Sequence, residues 1–293
     1  MSRAAVVHNP TKVTDLPALK RRVEPVMARA GWEPPLWLET TVEDPGAGMA
    51  RQAVADGCDV VFVAGGDGTV MAAATALAGT EVPLAILPTG TGNLLARNLD
   101  LPFTDEAACL RIGLAGRTRA IDVGAVEDRK FVVMAGLGFD AAMMRDAPEG
   151  LKKKVGWPAY VVSATKHLRG RGIRVTLTLD DGEPLNRRVR TVVVGNVGRL
   201  QGNFPLLPDA VPDDGVLDVV VIATRNILDW ARVGTRVLRR ADVPDRRMER
   251  FTAKHVLIEA SHSQPRQLDG DVIEDGRLLD IQVEAGALLV KVR

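Results

Sequence analysis

Two short turns rich in glycine and hydroxyl side chains are the parts of this sequence best suited to bind a phosphate group. The first spans residues 65–69 and follows a continuous apolar run, and the second spans residues 89–93 and follows the next such run. Glycine allows a positive φ and a close approach to a ligand, and a helix that follows such a turn offers its N-terminal amides to an anion. The two turns therefore predict a single anion-binding crevice at the carboxyl ends of neighbouring strands.

Asp67 lies inside the first turn, where a carboxylate would repel a phosphate. Its position predicts that it holds a metal ion or accepts a proton beside the phosphates. An ordinary strand-to-helix turn would explain any single glycine of this segment. The occurrence of two such turns is what favours a binding site.

The segments around these turns predict alternating strands and helices. Apolar runs predict strands at residues 4–8, 36–39, 59–64 and 83–87, and helical spacing predicts helices at 16–30, 47–55, 70–77 and from 94 onward. Strands that alternate with helices favour a parallel α/β sheet over about the first 120 residues.

After residue 121 the pattern changes to strands that mostly lack intervening helices. These strands are predicted at 131–135, 174–179, 188–195, 216–222, 256–259 and 279–284, and a last strand at 287–292 could return to either domain. The predicted fold is an α/β N-terminal domain with a parallel sheet, residues 1–121, which residues 281–293 could complete. A β-rich, sandwich-like C-terminal domain follows over residues 122–280.

Length and composition narrow the class of protein. A chain of 293 residues with 46% hydrophobic and 26% charged residues is typical of about two globular domains. The net charge of +1 provides no bulk attraction to nucleic acid. Cys58 and Cys109 lack metal-ligand spacing, which predicts buried free thiols in a reducing compartment such as the cytoplasm.

The sequence predicts neither export nor a membrane span. The first ten residues lack the apolar length and the cleavage site of a signal peptide, and no window reaches about 20 consecutive apolar residues. The four histidines show no metal-binding spacing, so they are expected to be satisfied surface or strand-edge residues.

The order and spacing of several motifs resemble the bacterial diacylglycerol-kinase-like lipid kinases, whose catalytic domain sphingosine and ceramide kinases share. The resemblance runs nearly end to end. It consists of residues 9–11, 65–69, 88–93 with 96–97, 121–124, 135–140, 195–196, 208–210, 212–219 and 268–271.

This resemblance implies ATP-dependent transfer of the γ-phosphoryl group to a lipid hydroxyl, most simply from diacylglycerol to phosphatidate. The N-terminal domain would bind the nucleotide and the C-terminal domain the lipid. The residues implied to line ATP are Asn9, Pro10, Thr11, Thr40, Gly65, Gly66, Asp67, Gly68, Thr69, Val70, Met71 and Thr91. A structural Mg²⁺ ion is implied at the carbonyls of Val211 and Val216 and the side chain of Asp214.

The resemblance assigns the general base to Asp271, with Asp269 beside it. Asp67 is an alternative candidate for the general base, and the sequence does not distinguish between these aspartates. Lys12 stands where the family continues with Ser-Gly, Val70-Met71 stands where Asn-Glu is usual, and Asp271 replaces a glutamate. Two alternatives stay open, namely a small-molecule kinase similar to NAD kinase and a catalytically weak lipid- or nucleotide-binding regulator.

Two basic segments favour peripheral contact with a membrane surface that carries the lipid substrate. Residues 143–174 contain eight basic and two acidic residues, and Lys152, Lys153 and Lys154 precede Trp157 and Tyr160. Residues 227–241 predict a basic amphipathic helix, although core packing explains its apolar stripe equally well. The resemblance leaves the lipid acceptor open and allows a homodimer.

Overall fold

The computed structural model describes residues 1–90, 92–138, 172–199, 206–224 and 247–293. The chain divides into two compact units: unit 1 comprises Met1–Val123 and Gly286–Arg293, and unit 2 comprises Gly124–Ala285. It passes from unit 1 into unit 2 within strand β5 (Arg117–Val126) and returns within strand β14 (Asp271–Val292).

Unit 1 contains a parallel sheet, as predicted. Its strands are β1 (Ala4–His8), β2 (Leu36–Glu39), β3 (Val60–Gly65), β4 (Leu84–Pro88) and the end of β14, in the order β2-β1-β3-β4-β14. Strands β1 and β3 are buried along their whole length. Full burial explains why they consist of continuous apolar runs rather than alternating patterns.

The helices of unit 1 are α1 (Leu16–Arg29), α2 (Ala47–Ala55), α3 (Asp67–Leu77), α4 (Leu94–Asn98) and α5 (Glu106–Ala115). Carboxylates cap two of them: Asp15 accepts the amide of Ala18 at 2.8 Å, and Asp105 accepts that of Ala108 at 2.9 Å. Helix α3 begins at Asp67, not at residue 70 as predicted. An acidic residue in the first turn is favoured there by the helix dipole.

The end of the chain belongs to the sheet of unit 1. Val290 pairs in parallel with Leu84 of β4. The guanidinium of Arg117 donates to the carbonyl of Arg293 at 2.8 Å, and the ammonium of Lys291 donates to the carbonyl of Gly116 at 3.3 Å. The last strand, which the sequence allowed in either domain, therefore lies beside β4.

Unit 2 is built from antiparallel strands around one core. Its strands are β6 (Arg129–Phe131), β7 (Met134–Gly138), β8 (Ile173–Leu179), β9 (Leu185–Val189), β10 (Thr191–Gly195), β11 (Leu217–Ile222), β12 (Met248–Ala253), β13 (His255–Leu268) and the first part of β14. Strand β13 pairs with β8 through residues 256–260 and with β7 through residues 266–268. Register shifts between these two stretches let one strand serve two partners, in agreement with the predicted sandwich-like fold.

Two strands predicted in unit 2 are each interrupted. The segment 131–135 is not one strand, because β6 ends at Phe131 and β7 begins at Met134 after a bend. The segment 188–195 is broken at Arg190, since β9 pairs with β8 whereas β10 pairs with β7 and β11.

Cys58 and Cys109 are buried free thiols, as predicted, and burial raises the pKa of Cys109 to about 11. Over the ranges given above, no helix has the length and apolar character needed to cross a bilayer.

Candidate functional site

The predicted binding residues of unit 1 lie at one edge of its sheet. Strands β1, β2 and β3 are parallel and end level with one another, with His8 beside both Glu39 and Ala64. Gly65 of β3 likewise lies beside Pro88 of β4. The segments that follow all four strands therefore start at the same edge, where ligands of open α/β sheets bind.

Asn9 connects the turn after β1 to helix α3. Its side-chain oxygen accepts hydrogen bonds from the amide and the hydroxyl of Thr11, at 2.9 and 2.8 Å. Its side-chain amide donates to the hydroxyl of Thr69 at 3.2 Å. Thr40 is buried at the end of β2, and its amide donates to the carbonyl of His8 at 2.9 Å. These predicted nucleotide-binding side chains thus share one edge with the glycine turns.

The predicted positive φ at the glycines of the first turn is wrong, and Gly65 is required there by close packing. Gly65, Gly66 and Gly68 all lie outside the left-handed region. A Cβ atom on Gly65 would lie 2.6 Å from the Cβ atom of Thr69, closer than two carbons can approach. The first turn is therefore folded tightly against the helix that it starts.

The second glycine turn packs directly on the first. The hydroxyl of Thr89 donates to the carbonyl of Gly65 at 3.2 Å. A Cβ atom on Gly90 would lie 2.9 Å from the Cα atom of Gly66, so the two backbones touch. The predicted single crevice requires this adjacency. Thr91, also predicted to bind the nucleotide, lies outside the described residues.

Asp67 joins the two turns through its side chain. Its Oδ1 atom accepts the amide of Leu94, the first residue of α4, at 2.6 Å. Its Oδ2 atom occupies the space that a Cβ atom on Gly92 would fill. The arginine of the same motif supports this arrangement, because the Nε of Arg97 donates to the carbonyl of Gly92 at 2.7 Å. Asp67 therefore holds the backbone of the second turn in place.

Gly68 is exposed near the start of α3, and nothing in the described structure lies within 4 Å of a Cβ atom added to it. The exposed side chain of Lys12 lies beside the neighbouring turn, with its Cε atom 3.5 Å from the Cβ position of Gly66. An open helix N-terminus and a nearby ammonium group together favour an anionic ligand. Val70 and Met71 differ from these residues, since their side chains are buried in unit 1.

Asp269 and Gly270 form the two-residue turn between β13 and β14 in unit 2. Both have positive φ, 50° and 95°, as in the tight turns that join antiparallel strands. The carboxylate of Asp269 accepts the amides of Val132 at 2.8 Å, Val133 at 2.8 Å and Met134 at 2.9 Å. Burial raises the pKa of Asp269 to about 6, against the lowering effect of these amides. Its carboxylate therefore faces protein backbone.

Asp271 is the exposed carboxylate among the three predicted catalytic aspartates. It begins β14, opposite Leu268, directly after the turn. Asp67 and Asp269 accept backbone amides and are less exposed than Asp271.

The loop implied to hold Mg²⁺ concentrates oxygen donors and negative charge. Val211 is exposed, and the carboxylate of Asp214 accepts the amide of Val216 at 3.2 Å. Burial raises the pKa of Asp218 to about 6, and the charges of Asp214 and Asp209 raise it further. No group of three Asp, Glu, His or Cys side chains within the described ranges could hold a metal ion by itself. Two carbonyls and one carboxylate are nevertheless hard oxygen donors, which suit Mg²⁺.

The predicted membrane-contact segments and the predicted histidine environments have different outcomes. The basic cluster Lys152–Lys154, the aromatic residues Trp157 and Tyr160, and the predicted helix 227–241 lie outside the described residues. The expectation of a satisfied histidine is wrong at His8, which is buried with no described partner for its Nδ1 atom.

The two halves of the chain match two family models. Residues 3–126 match the diacylglycerol kinase catalytic domain, and residues 132–291 match the YegS C-terminal NAD kinase beta sandwich-like domain. The second match alone covers more than half of the chain.

Relatives and a solved structure agree with these matches. A diacylglycerol kinase of Bacillus subtilis is 28% identical over 277 residues, covering 92% of this chain and 90% of the relative. A diacylglycerol kinase of Mycobacterium tuberculosis is 32% identical over 217 residues, covering 72% of this chain and 70% of the relative. A crystal structure of a diacylglycerol kinase from Bacillus anthracis has the same fold, with a TM-score of 0.74, 20% identity, and coverage of 100% of this chain and 97% of that one. With both halves matched in order, the chain belongs to the diacylglycerol kinase-like family of lipid kinases.

Proposed function

We propose that the protein transfers the γ-phosphoryl group of ATP to the hydroxyl of diacylglycerol, which yields phosphatidate. Family membership supports lipid-kinase chemistry. The observation that carries the nucleotide site is Gly68, in the first turn of α3, where an added Cβ atom would meet no described atom within 4 Å outside its own helix. A ligand that approaches the helix backbone explains why glycine occupies this position.

The nucleotide is proposed to bind at the carboxyl edge of the unit 1 sheet. Phosphoryl transfer depends mainly on positioning and on neutralisation of charge. The amides at the start of α3 and the ammonium group of Lys12 would supply positive potential for the phosphates. The polar groups proposed to fix the rest of ATP are those of Asn9, Thr11, Thr40, Thr69 and Thr91, beside Pro10 and the backbone of residues 65–71.

Asp271 is the proposed general base. The hydroxyl oxygen of the lipid attacks the γ-phosphorus, the bond from that phosphorus to the β,γ-bridging oxygen breaks, and ADP leaves. The hydroxyl proton passes to the carboxylate of Asp271. Its exposure supports this assignment over Asp67 and Asp269, whose carboxylates are turned toward protein backbone.

Mg²⁺ is proposed at the loop that contains Val211, Asp214 and Val216. The ion would supply positive charge to a loop in which Asp209, Asp214 and Asp218 repel one another. The two carbonyls and the carboxylate of Asp214 would then hold this loop in one conformation.

Peripheral contact with the cytoplasmic face of a membrane is proposed for the basic segments, and a homodimer remains part of the proposal. Replacement of Lys152, Lys153 and Lys154 by glutamine should weaken binding to anionic vesicles, because each lysine near such a surface contributes about 1 kcal/mol. Turnover of a short-chain, water-soluble diacylglycerol should stay unchanged. Vesicle sedimentation measures the first quantity, and unchanged binding would remove this segment from the proposal.

The decisive experiment follows the labelled phosphoryl group. Purified protein is incubated with γ-labelled ATP and Mg²⁺, with vesicles of diacylglycerol and anionic phospholipid in one reaction and NAD in another. Label in phosphatidate supports the proposal, and its loss with Asp271→Asn excludes a contaminating kinase. Label in NAD would favour a small-molecule kinase instead, and nucleotide binding without transfer would favour a regulator.

A further inference from the structure

The bend between β6 and β7 has its backbone groups bound from two sides. The amides of Val132, Val133 and Met134 donate to the carboxylate of Asp269. The side-chain amide of Asn196 donates to the carbonyl of Val132 at 3.1 Å, and its backbone amide donates to that of Val133 at 2.9 Å. The amide of Asp269 donates to the carbonyl of Met134 at 2.8 Å. Two motifs, residues 195–196 and 268–271, therefore meet at this bend.

Three consecutive amides that point to one place form a concave anion site. In this fold the carboxylate of Asp269 fills that site, so the protein supplies its own anion. The turn is braced on its other side, since the amide of Gly270 donates to the side-chain oxygen of Gln267 at 2.8 Å. The backbone that leads into Asp271 is consequently tied to β7 and β13 immediately before Asp271.

We propose that Asp269 is a positioning residue that holds the hairpin turn so that the carboxylate of Asp271 stays at the acceptor hydroxyl. This inference rests on the proposed function, which assigns the proton transfer to Asp271. Asn196 supports the same bend by donating hydrogen bonds to the carbonyl groups of Val132 and Val133. A displacement of about 1 Å at a reacting group lowers a rate on the order of 100-fold, so such fixation matters for turnover.

Asp180 provides a matched control in the same unit. It also has φ of 50°, and its amide donates to the carbonyl of His255 at 2.9 Å. Its carboxylate accepts the amides of Lys254 at 2.8 Å and His255 at 2.9 Å. The residue two positions further on is Gly182 and not a carboxylate. Both amides bind the same oxygen, Oδ1, which an asparagine would keep, so the control is Asp180→Ala, which removes this contact without a candidate base beside it.

The test compares Asp269→Asn, Asp271→Asn, the double variant and Asp180→Ala in the intact protein. The side chain introduced by Asp269→Asn could still accept two amides on its oxygen, but its NH₂ group would face the amide of Val132. We expect Asp269→Asn to lower kcat on the order of 10- to 100-fold, with KM for ATP within about twofold of wild type. Asp180→Ala should lower Tm and leave kcat unchanged.

The double variant separates positioning from general stability. If Asp269 acts through Asp271, its replacement should lower kcat no further in the Asp271→Asn background. Multiplied losses in the double variant, or wild-type kcat in Asp269→Asn, would overturn the inference. Wild-type kcat in Asp271→Asn would overturn the base assignment itself, which is a different failure.

A second variant covers the case in which Asp269→Asn does not fold. Asn196→Ala removes the bond to the carbonyl of Val132 and leaves the carboxylate of Asp269 in place. We expect faster amide hydrogen exchange at residues 132–134 and a several-fold lower kcat that again disappears in the Asp271→Asn background. Normal kcat together with faster exchange would overturn the inference.

Discussion

The chain carries an Asp-Gly dipeptide at a candidate site in each unit and folds the two in opposite ways. Asp67-Gly68 begins a helix, whereas Asp269-Gly270 is a hairpin turn with two positive φ angles. In both, the carboxylate accepts amides from a distant segment. The glycines differ, because Gly68 leaves open space at a helix N-terminus and Gly270 relieves backbone strain. The comparison shows that the aspartates organise backbone in both units, whereas Gly270 is required by its turn and Gly68 is the glycine proposed to lie against a ligand.

The largest expected effect concerns the open glycine. Gly68→Ala should weaken ATP binding on the order of 10- to 100-fold, since its methyl group would occupy the space left for the phosphates. The free energy of unfolding should stay equal or rise by up to about 1 kcal/mol, because alanine favours a helix. Calorimetric titration with a non-hydrolysable ATP analogue and urea denaturation measure the two quantities. Unchanged ATP affinity would contradict the role given to this glycine.

The next effect tests the aspartate of unit 1. Asp67→Ala removes the acceptor for the amide of Leu94 and should lower the free energy of unfolding by about 1–3 kcal/mol. Asp67→Asn keeps an oxygen for that amide and should recover most of the loss. Urea denaturation of both variants checks this order. Equal stability of the alanine variant and wild type would mean that Asp67 does not hold the second turn.

A smaller effect is expected at the hairpin. Gly270→Ala places a Cβ atom at φ of 95° and should lower the free energy of unfolding by about 1–2 kcal/mol. ATP affinity should not change. Gly57→Ala is the matched control, because Gly57 also has positive φ and no neighbour within 4 Å of an added Cβ atom. If Gly270→Ala lowered ATP affinity and Gly57→Ala did not, the proposed difference between Gly68 and Gly270 would be contradicted.

The smallest effect depends on pH and lies at the same edge as Asp67. Burial lowers the pKa of His8 from its usual 6.5, so the folded protein favours the neutral ring. The unfolded chain binds this proton more readily, and the free energy of unfolding should therefore fall as pH decreases below about 6.5. The expected change is at most about 1 kcal/mol per pH unit. Urea denaturation at pH 7.5 and 5.5 should show a smaller difference for His8→Gln than for wild type.

The elements of unit 1 follow closely from local sequence. Strands β1 and β2 and helix α2 have the predicted bounds, because buried parallel strands and amphipathic helices leave strong periodic patterns. The adjacency of the two glycine turns also follows from their positions after neighbouring parallel strands. The predicted positive φ of Gly65, Gly66 and Gly68 was wrong, and the close packing that requires Gly65 leaves no local signature in the sequence.

The bend at residues 132–133 could not be predicted in the same way. Val132, Val133 and Met134 form an apolar run typical of a strand, and the group that bends them is a carboxylate more than 130 positions later. The Asp269-Gly270 dipeptide between two apolar stretches was a usable signal for a tight hairpin. It would have predicted one long hairpin in place of separate short strands, and a structural part for Asp269.

The last strand of unit 1 has a consequence for biosynthesis. Residues 286–293 pair beside β4, although the rest of that unit ends at Val123. On the ribosome, the sheet of unit 1 therefore lacks its strand beside β4 while all of unit 2 is translated. A fragment that stops at Val123 would lack this strand, and grafting residues 286–293 onto it is the simplest way to obtain an autonomous unit 1.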